Sequence, residues 1–244
     1  MRLTRIHVAA ALSVGHEVTL PESAAAHLAR VLRLQPGDPC VLFNGDGHDY
    51  PSRITVLGKR EVRALVESAR ALDNESPLRI TLVQGVARGE KMDLILQKAT
   101  ELGVQAFVPT SSERSEVRLD GERADKRLAH WRSVVIAACE QSGRARIPSV
   151  ASSQSLPLAL SSLTGTARFL LDPAATQAIT DVAAPGIDGC VLAVGPEGGW
   201  SPRDRAVLHG AGFSALRLGP RVLRTETAGI AAIAALQARF GDLG

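Results

Sequence analysis

The chain changes rhythm near residue 75, and that change limits its architecture more than any other feature. Before it, short β-like runs at 5–8, 17–20, 40–43, 53–57 and 61–68 are separated by turn signals such as Gln35-Pro36-Gly37-Asp38 and Asn44-Gly45-Asp46-Gly47. This spacing predicts a compact β-barrel, interrupted by one short helix over 24–34 that follows Pro21-Glu22-Ser23. Beyond the polar stretch Asp73-Asn74-Glu75-Ser76-Pro77, apolar runs alternate with helical periodicity, the signature of a parallel α/β sheet. Strands are expected at 78–86, 104–109, 167–171, 190–194 and 215–218. Helices are expected at 91–102, 128–142, from 201 onward and at 225–240, with 113–127 read as part of a charged loop. The boundary therefore divides the chain into a first domain over 1–72 and a second over 73–244.

Composition narrows what such domains do. A hydrophobic share of 45% in 244 residues supports a core in each, but with only 3% aromatic residues, binding RNA by stacking bases on many rings is excluded. The net charge of +3 points only weakly to nucleic acid. Arg2, Arg5, Arg30 and Arg33, with His7 and His27, nonetheless gather in the first third, a cluster that suits a phosphate site or simply a solvated basic face. Cys40, Cys139 and Cys190 are odd in number and form no Cys-x-x-Cys pair, which argues against a disulfide framework and against zinc. With no leader-like start and no long apolar run, the expectation is a cytoplasmic protein without membrane attachment.

Two segments stand out chemically. VGPEGGWS, 194–201, joins an apolar strand to a helix through three glycines, yet lacks both the Gly-Lys-Ser/Thr ending of a nucleotide-phosphate loop and the G-x-G-x-x-G spacing of a dinucleotide site. LGPRVLRTETAG, 218–229, repeats the strand, Gly-Pro turn and helix. Two such turns on neighbouring strands would meet at one edge of a parallel sheet, where α/β proteins bind ligands; the alternative for each is a plain tight turn. Thr225 or Thr227 suits the N-cap and Glu226 the first turn of the last helix. Arg224 does not suit that place, because a cation at a helix N-terminus is unfavourable unless it is buried or faces a ligand.

Together, RGEKMDLILQKATELGV (88–104), EQSGRARIP (140–148), GPEGGWS (195–201) and LGPRVLRTETA (218–228) resemble the RsmE family of 16S rRNA uridine-N3 methyltransferases, members of the SPOUT superfamily. HLARVLRLQPGD (27–38) and FNGDG (43–47) match that family's PUA-like N-terminal domain, so the resemblance spans nearly the whole chain. Arg88 stands where Lys is more usual and Trp200 where Phe is common, and both keep the residue's character. The resemblance implies a PUA-like RNA-binding β-barrel followed by a parallel-sheet α/β domain tied in a trefoil knot, acting as a homodimer on 16S rRNA. It also implies S-adenosylmethionine bent in the knot, held by Gly195, Pro196, Glu197 and Gly198, by Leu218 and Gly219, by Val222, Leu223 and Arg224, with Leu171 on the adenine side and Thr227 nearby. RNA would be met by Arg2, Arg5, His27, Arg30 and Arg33.

Methyl transfer from a sulfonium is an in-line displacement that needs positioning and dryness but no metal. N3 of uracil must lose a proton, and charge then spreads onto O2 and O4, so a base or a cation is required beside the ring. Glu140, Gln141, Arg144 and Arg224 are the candidates, with Glu197 and Glu226 on the loops, and the sequence does not choose the base among them. Glu140 with Arg144, and Lys98 with Glu101, have helical spacing that also suits ordinary surface ion pairs. Cys139 reads as a small buried hydrophobe rather than a nucleophile. Alternative functions are a knotted ribose 2′-O methyltransferase and a non-catalytic ribosome-assembly factor.

Overall fold

The computed structural model describes residues 3–21, 34–58, 61–115, 121–164 and 167–244. The expected helix over 24–34 lies outside them for all but its last residue, as do Arg2, His27, Arg30 and Arg33. Two compact units emerge, one of 1–75 with 139–147 and the other of 76–138 with 148–244.

The first unit holds strands β1 (Arg5–His7), β2 (Glu17–Thr19), β3 (Pro39–Phe43), β4 (His48–Leu57), β5 (Val62–Val66) and β6 (Arg70–Ala71). They form a mixed sheet in the order β1-β3-β4-β5-β2, with β6 on β4; β1 and β3 run parallel and the other pairs antiparallel. Period-two alternation along β5 buries Val62, Ala64 and Val66. With Ile6, Leu42, Tyr50 and Ile54 these residues form one apolar cluster.

The second unit is built on strands β7 (Ile80–Gly85), β8 (Ala106–Ser111), β9 (Ser149–Val150), β10 (Gln154–Ser155), β11 (Ala167–Leu171), β12 (Cys190–Val194) and β13 (Ser214–Leu216). Their order is β10-β8-β7-β12-β11-β13 with β9 also on β8, and every ladder is parallel. Every residue of β12 is buried, as a central parallel strand covered on both faces requires. Helices α1 (Glu90–Glu101), α2 (Gly121–Ser142), α3 (Leu156–Ser161), α4 (Pro202–Gly210) and α5 (Thr225–Phe240) follow in chain order. Helix α1 buries Met92, Ile95, Leu96 and Ala99 at helical spacing, and Gly103, at φ 86°, ends it.

Helix α2 begins at Gly121, so 121–127 is not the loop expected from its charge. None of those seven residues is buried, and the Glu122–Lys126 pair sits fully in solvent, so no apolar stripe marks the extra turns. The buried stripe starts at Trp131 and continues through Val135 and Ala138. Among the described residues no helix is long and apolar enough to cross a membrane.

Candidate functional site

β11, β12 and β13 are neighbours, and their last residues, Leu171, Val194 and Leu216, line a cavity of about 290 Å³ at the carboxyl edge of the sheet. Most of the remaining wall comes from both glycine-rich turns, with Arg114, Asp172, Pro173, Arg205 and Ala228 completing it. Gly195, Pro196, Glu197, Gly198, Gly199 and Trp200 form one side, and Leu218, Arg221, Val222, Leu223, Arg224 and Thr225 the other. The expected meeting of the two turns at one edge of the sheet is thus what the chain does.

The first turn is held from several directions. Gly85, the last residue of β7, lies directly beneath it: a Cβ there would stand 2.5 Å from Pro196 Cδ and 2.6 Å from Pro196 N. A side chain on Gly195 would meet the backbone of Gly199 and Trp200 at 3.0–3.1 Å, and one on Gly198 would meet Arg114 Cβ at 3.1 Å. Packing of the turn thus requires Gly85 outright and leaves a side chain on Gly195 or Gly198 room only if its neighbours give by a few tenths of an ångström, before any ligand is considered. Arg114 donates to the Gly198 carbonyl at 3.0 Å. Glu197 accepts from the Arg88 backbone N–H at 3.0 Å and from Lys91 Nζ at 3.1 Å. Partial burial opposes ionisation of Glu197, but the N–H groups of Arg88 and of Glu197 itself, together with Lys91, outweigh it and hold the carboxyl below its ordinary value. The turn ends in a capping box, with Ser201 Oγ accepting from Asp204 N and the Asp204 carboxylate from Ser201 N, both at 3.0 Å.

The second turn is open. Arg221, Val222 and Arg224 are exposed, Val222 at 79%, and Gly219 has φ 66° with nothing within 4 Å of a Cβ built on it. The N-cap of α5 is Arg224, not Thr225 or Thr227. Thr225 is the first helical residue, and its hydroxyl donates to the Gly195 carbonyl at 2.5 Å, which ties the second turn to the first. Thr227 is exposed and does not line the cavity, whereas Thr225 and Ala228 do.

Around the cavity the acids have dedicated cations. Asp172, just past β11, pairs with Arg205 of α4 at 3.2 Å, and Glu197 pairs with Lys91. Arg221 and Arg224 have no such partner among the described residues, so the uncompensated charge of the wall is cationic.

The other expected site residues lie in the first unit. Glu140 accepts from the His7 N–H at 3.0 Å, and Arg144, 6% exposed in its side chain, holds Glu75 through Nε at 3.0 Å and Nη2 at 2.5 Å. Gln141 is exposed. Arg5 is equally committed to the interior: it pairs with Asp49, donates to the Arg144 carbonyl at 3.0 Å and lies 4.8 Å over the Phe43 ring. Cys139 is fully buried, and desolvation pushes its thiol up to about 12, consistent with a packing role.

Sequence reading missed Gln84, Gly85, Arg114, Asp172 and Arg205. A Gln before a Gly at the end of an apolar run was the available signal for the first two. Among the described residues no cluster of His, Cys, Asp or Glu could hold a metal ion.

A family model described as RNA methyltransferase domain matches residues 74–237, and one described as RNA methyltransferase PUA domain matches 20–67. A crystal structure of ribosomal RNA small subunit methyltransferase E from Neisseria gonorrhoeae, bound to S-adenosyl methionine, is 42% identical, with TM-score 0.91 and 100% of both chains covered. A Legionella pneumophila chain in complex with the bound cofactor SAM is 36% identical, with TM-score 0.95 and again 100% of both chains covered. Ribosomal RNA small subunit methyltransferase E of Mycobacterium bovis is 37% identical over 232 residues, 89% of this chain and 88% of the relative. The chain belongs to the RNA methyltransferase family that these proteins represent.

Proposed function

We propose that this protein transfers the methyl group of S-adenosylmethionine to N3 of a uridine in 16S ribosomal RNA, as a cytoplasmic homodimer acting on the small ribosomal subunit. The observation that carries the reading is the cavity made by both glycine-rich turns at the carboxyl edge of the parallel sheet, in a chain of this family. Its lining suits such a donor: apolar strand ends at Leu171, Val194 and Leu216 for a flat ring, and the turn residues Gly195, Gly198, Leu218, Val222 and Leu223 for its polar edges. The trefoil knot and the homodimer are expected of the second unit from the family resemblance.

When bound, S-adenosylmethionine supplies an electrophilic methyl whose carbon–sulfur bond breaks with its electron pair left on sulfur. The residues of this chain position the two reactants and manage the proton of N3. Arg224, exposed on the cavity wall and free of a carboxylate partner among the described residues, is placed to face the uracil oxygen that gains charge as N3 loses its proton. Glu140, Gln141 and Arg144 remain candidates for meeting the RNA or accepting its proton. Arg2, His27, Arg30 and Arg33 are proposed to bind RNA phosphates; Arg5 instead pairs with Asp49 inside the first unit. This division of labour makes residues 1–72 the RNA-binding part and 73–244 the catalytic part.

The test is methylation of small subunits that lack the modification, with the product located by mass spectrometry and reverse transcription. An N3 methyl on uridine blocks Watson–Crick pairing and stops the transcriptase. A methyl found on ribose, which leaves pairing intact, overturns the assignment of N3 while keeping the donor.

A further inference from the structure

We infer that Gln84 is a positioning residue that, with Thr225, sets the spacing of the two glycine-rich turns and so the shape of the proposed methyl-donor cavity. The inference rests on the functional reading above and concerns a side chain that does not itself line the cavity.

Gln84 is fully buried near the end of β7, between Val194 of β12 and Pro109 of β8 in the ladders. Its Nε2 donates to the Gly85 carbonyl at 2.9 Å, to Thr225 Oγ1 at 3.1 Å and to the Gly195 carbonyl at 3.4 Å. Two of those acceptors are carbonyls, which fixes the amide with its nitrogen toward the turns. Thr225 Oγ1 accepts from Gln84 and donates to the same Gly195 carbonyl at 2.5 Å, which closes a three-membered ring of hydrogen bonds. One carbonyl of the first turn is therefore gripped at once from β7 and from the first residue of α5.

The other half of the amide gives the grip its meaning. Gln84 Oε1 is buried and has no hydrogen-bond partner among the described residues. Gly229 of α5 faces it, and a Cβ built there would stand 3.9 Å away. An acceptor left unsatisfied in a largely apolar strand costs stability that Met or Leu would not, so stability alone does not account for Gln at this place. What Gln adds over an apolar side chain is the Nε2 contact with both turns.

The opposed signs provide the test. Gln84→Met fills the same space and removes both the unsatisfied oxygen and the donor to Gly85, Gly195 and Thr225, stability effects of opposite sign, so its melting temperature should change little while it binds S-adenosylmethionine about tenfold more weakly by calorimetry. Unchanged affinity overturns the inference whatever the melting temperature does. If melting temperature and affinity fall together, a double-mutant cycle decides. Gln84→Met and Thr225→Val share one acceptor, so the double variant should bind scarcely worse than either single one, and Thr225→Ser should restore wild-type affinity; strictly additive losses overturn the inference. A wild-type chain that binds no S-adenosylmethionine sinks the functional reading and this inference with it, a result distinct from wild-type and Gln84→Met binding equally well.

Discussion

The two glycine-rich turns look alike as sequence and differ as structure. Residues 195–200 are fastened to β7, to α1 and to Arg114, whereas 218–223 make no backbone–backbone hydrogen bond among the described residues and leave Arg221 and Val222 in solvent. The bond from Thr225 to Gly195 ties the open turn to the fixed one at its last position. A fixed wall facing an open one divides the work: the first can define a pocket in advance, and the second presents side chains to whatever enters. Catalysis by preorganised charge needs both, a rigid frame and a cation free to face the reacting atoms.

The largest effect should come from the open turn. Arg224→Ala removes a side chain with no ion-pair partner among the described residues, so the fold loses little. Single-turnover methyl transfer from the saturated complex should nonetheless slow by roughly a hundredfold or more, as loss of a preorganised charge-stabilising donor does elsewhere. Affinity for S-adenosylmethionine should change far less. A variant that transfers at the wild-type rate but melts early would reverse the roles assigned to the two turns.

A smaller loss with the opposite signature is expected beneath the fixed turn. In Gly85→Ala the new Cβ meets Pro196 at 2.5 Å, and both partners are backbone or a proline ring, so the turn must move. Overpacking of this kind typically costs about 1–3 kcal/mol, and the lower end of that range is roughly a fivefold loss if it falls wholly on the bound form. Calorimetry should show that loss in donor affinity, with transfer from the saturated complex nearly intact. Equal affinity would mean that the fixed turn does not shape the pocket.

How far the sequence revealed this contrast depends on the kind of contact involved. Local chemistry was legible: the helix expected from 201 onward opens on the capping box of Ser201 and Asp204, and the strand at 190–194 and the helix at 225–240 have the bounds expected of them. Misreadings arose where tertiary contacts overrode local preference. Thr225 looked like an N-cap because the residue type fits one, yet its hydroxyl is spent on Gly195, 30 positions away in sequence. Arg5 looked like part of a basic surface because nothing nearby in sequence discloses Asp49 or Phe43. Helix α2 runs unbroken from 121 to 142 although its last residues group with the first unit, and no change of period marks that passage. Gln84 and Gly85 escaped notice for the same reason, since their importance lies in a turn more than a hundred residues later.

The smallest expected effect is a dependence on pH of the fixed turn alone. Glu197 is held ionised by the N–H groups of Arg88 and Glu197 and by Lys91, with its carboxyl below the ordinary value of 4.5. A carboxyl depressed in the folded protein contributes its tie fully above the unfolded value and loses it as the pH falls through the folded one. Donor affinity should therefore be insensitive to Glu197 from neutrality down to that ordinary value and weaken only below it. Glu197→Gln keeps an acceptor for the Arg88 N–H but loses the charge opposite Lys91, in an ion pair whose side chains are 27% and 38% exposed. Such a pair contributes about 0.2–1 kcal/mol, so the variant should bind at most roughly fivefold more weakly at pH 7. Because acid also protonates the donor's own carboxylate, the informative quantity is the ratio of wild-type to variant affinity across pH. That ratio should shrink toward one in acid and stay constant above about pH 5. A ratio that holds steady through the acid range would show that Glu197 acts through its shape rather than its charge, and the fixed turn would owe its position to Gln84, Gly85, Arg114 and Thr225.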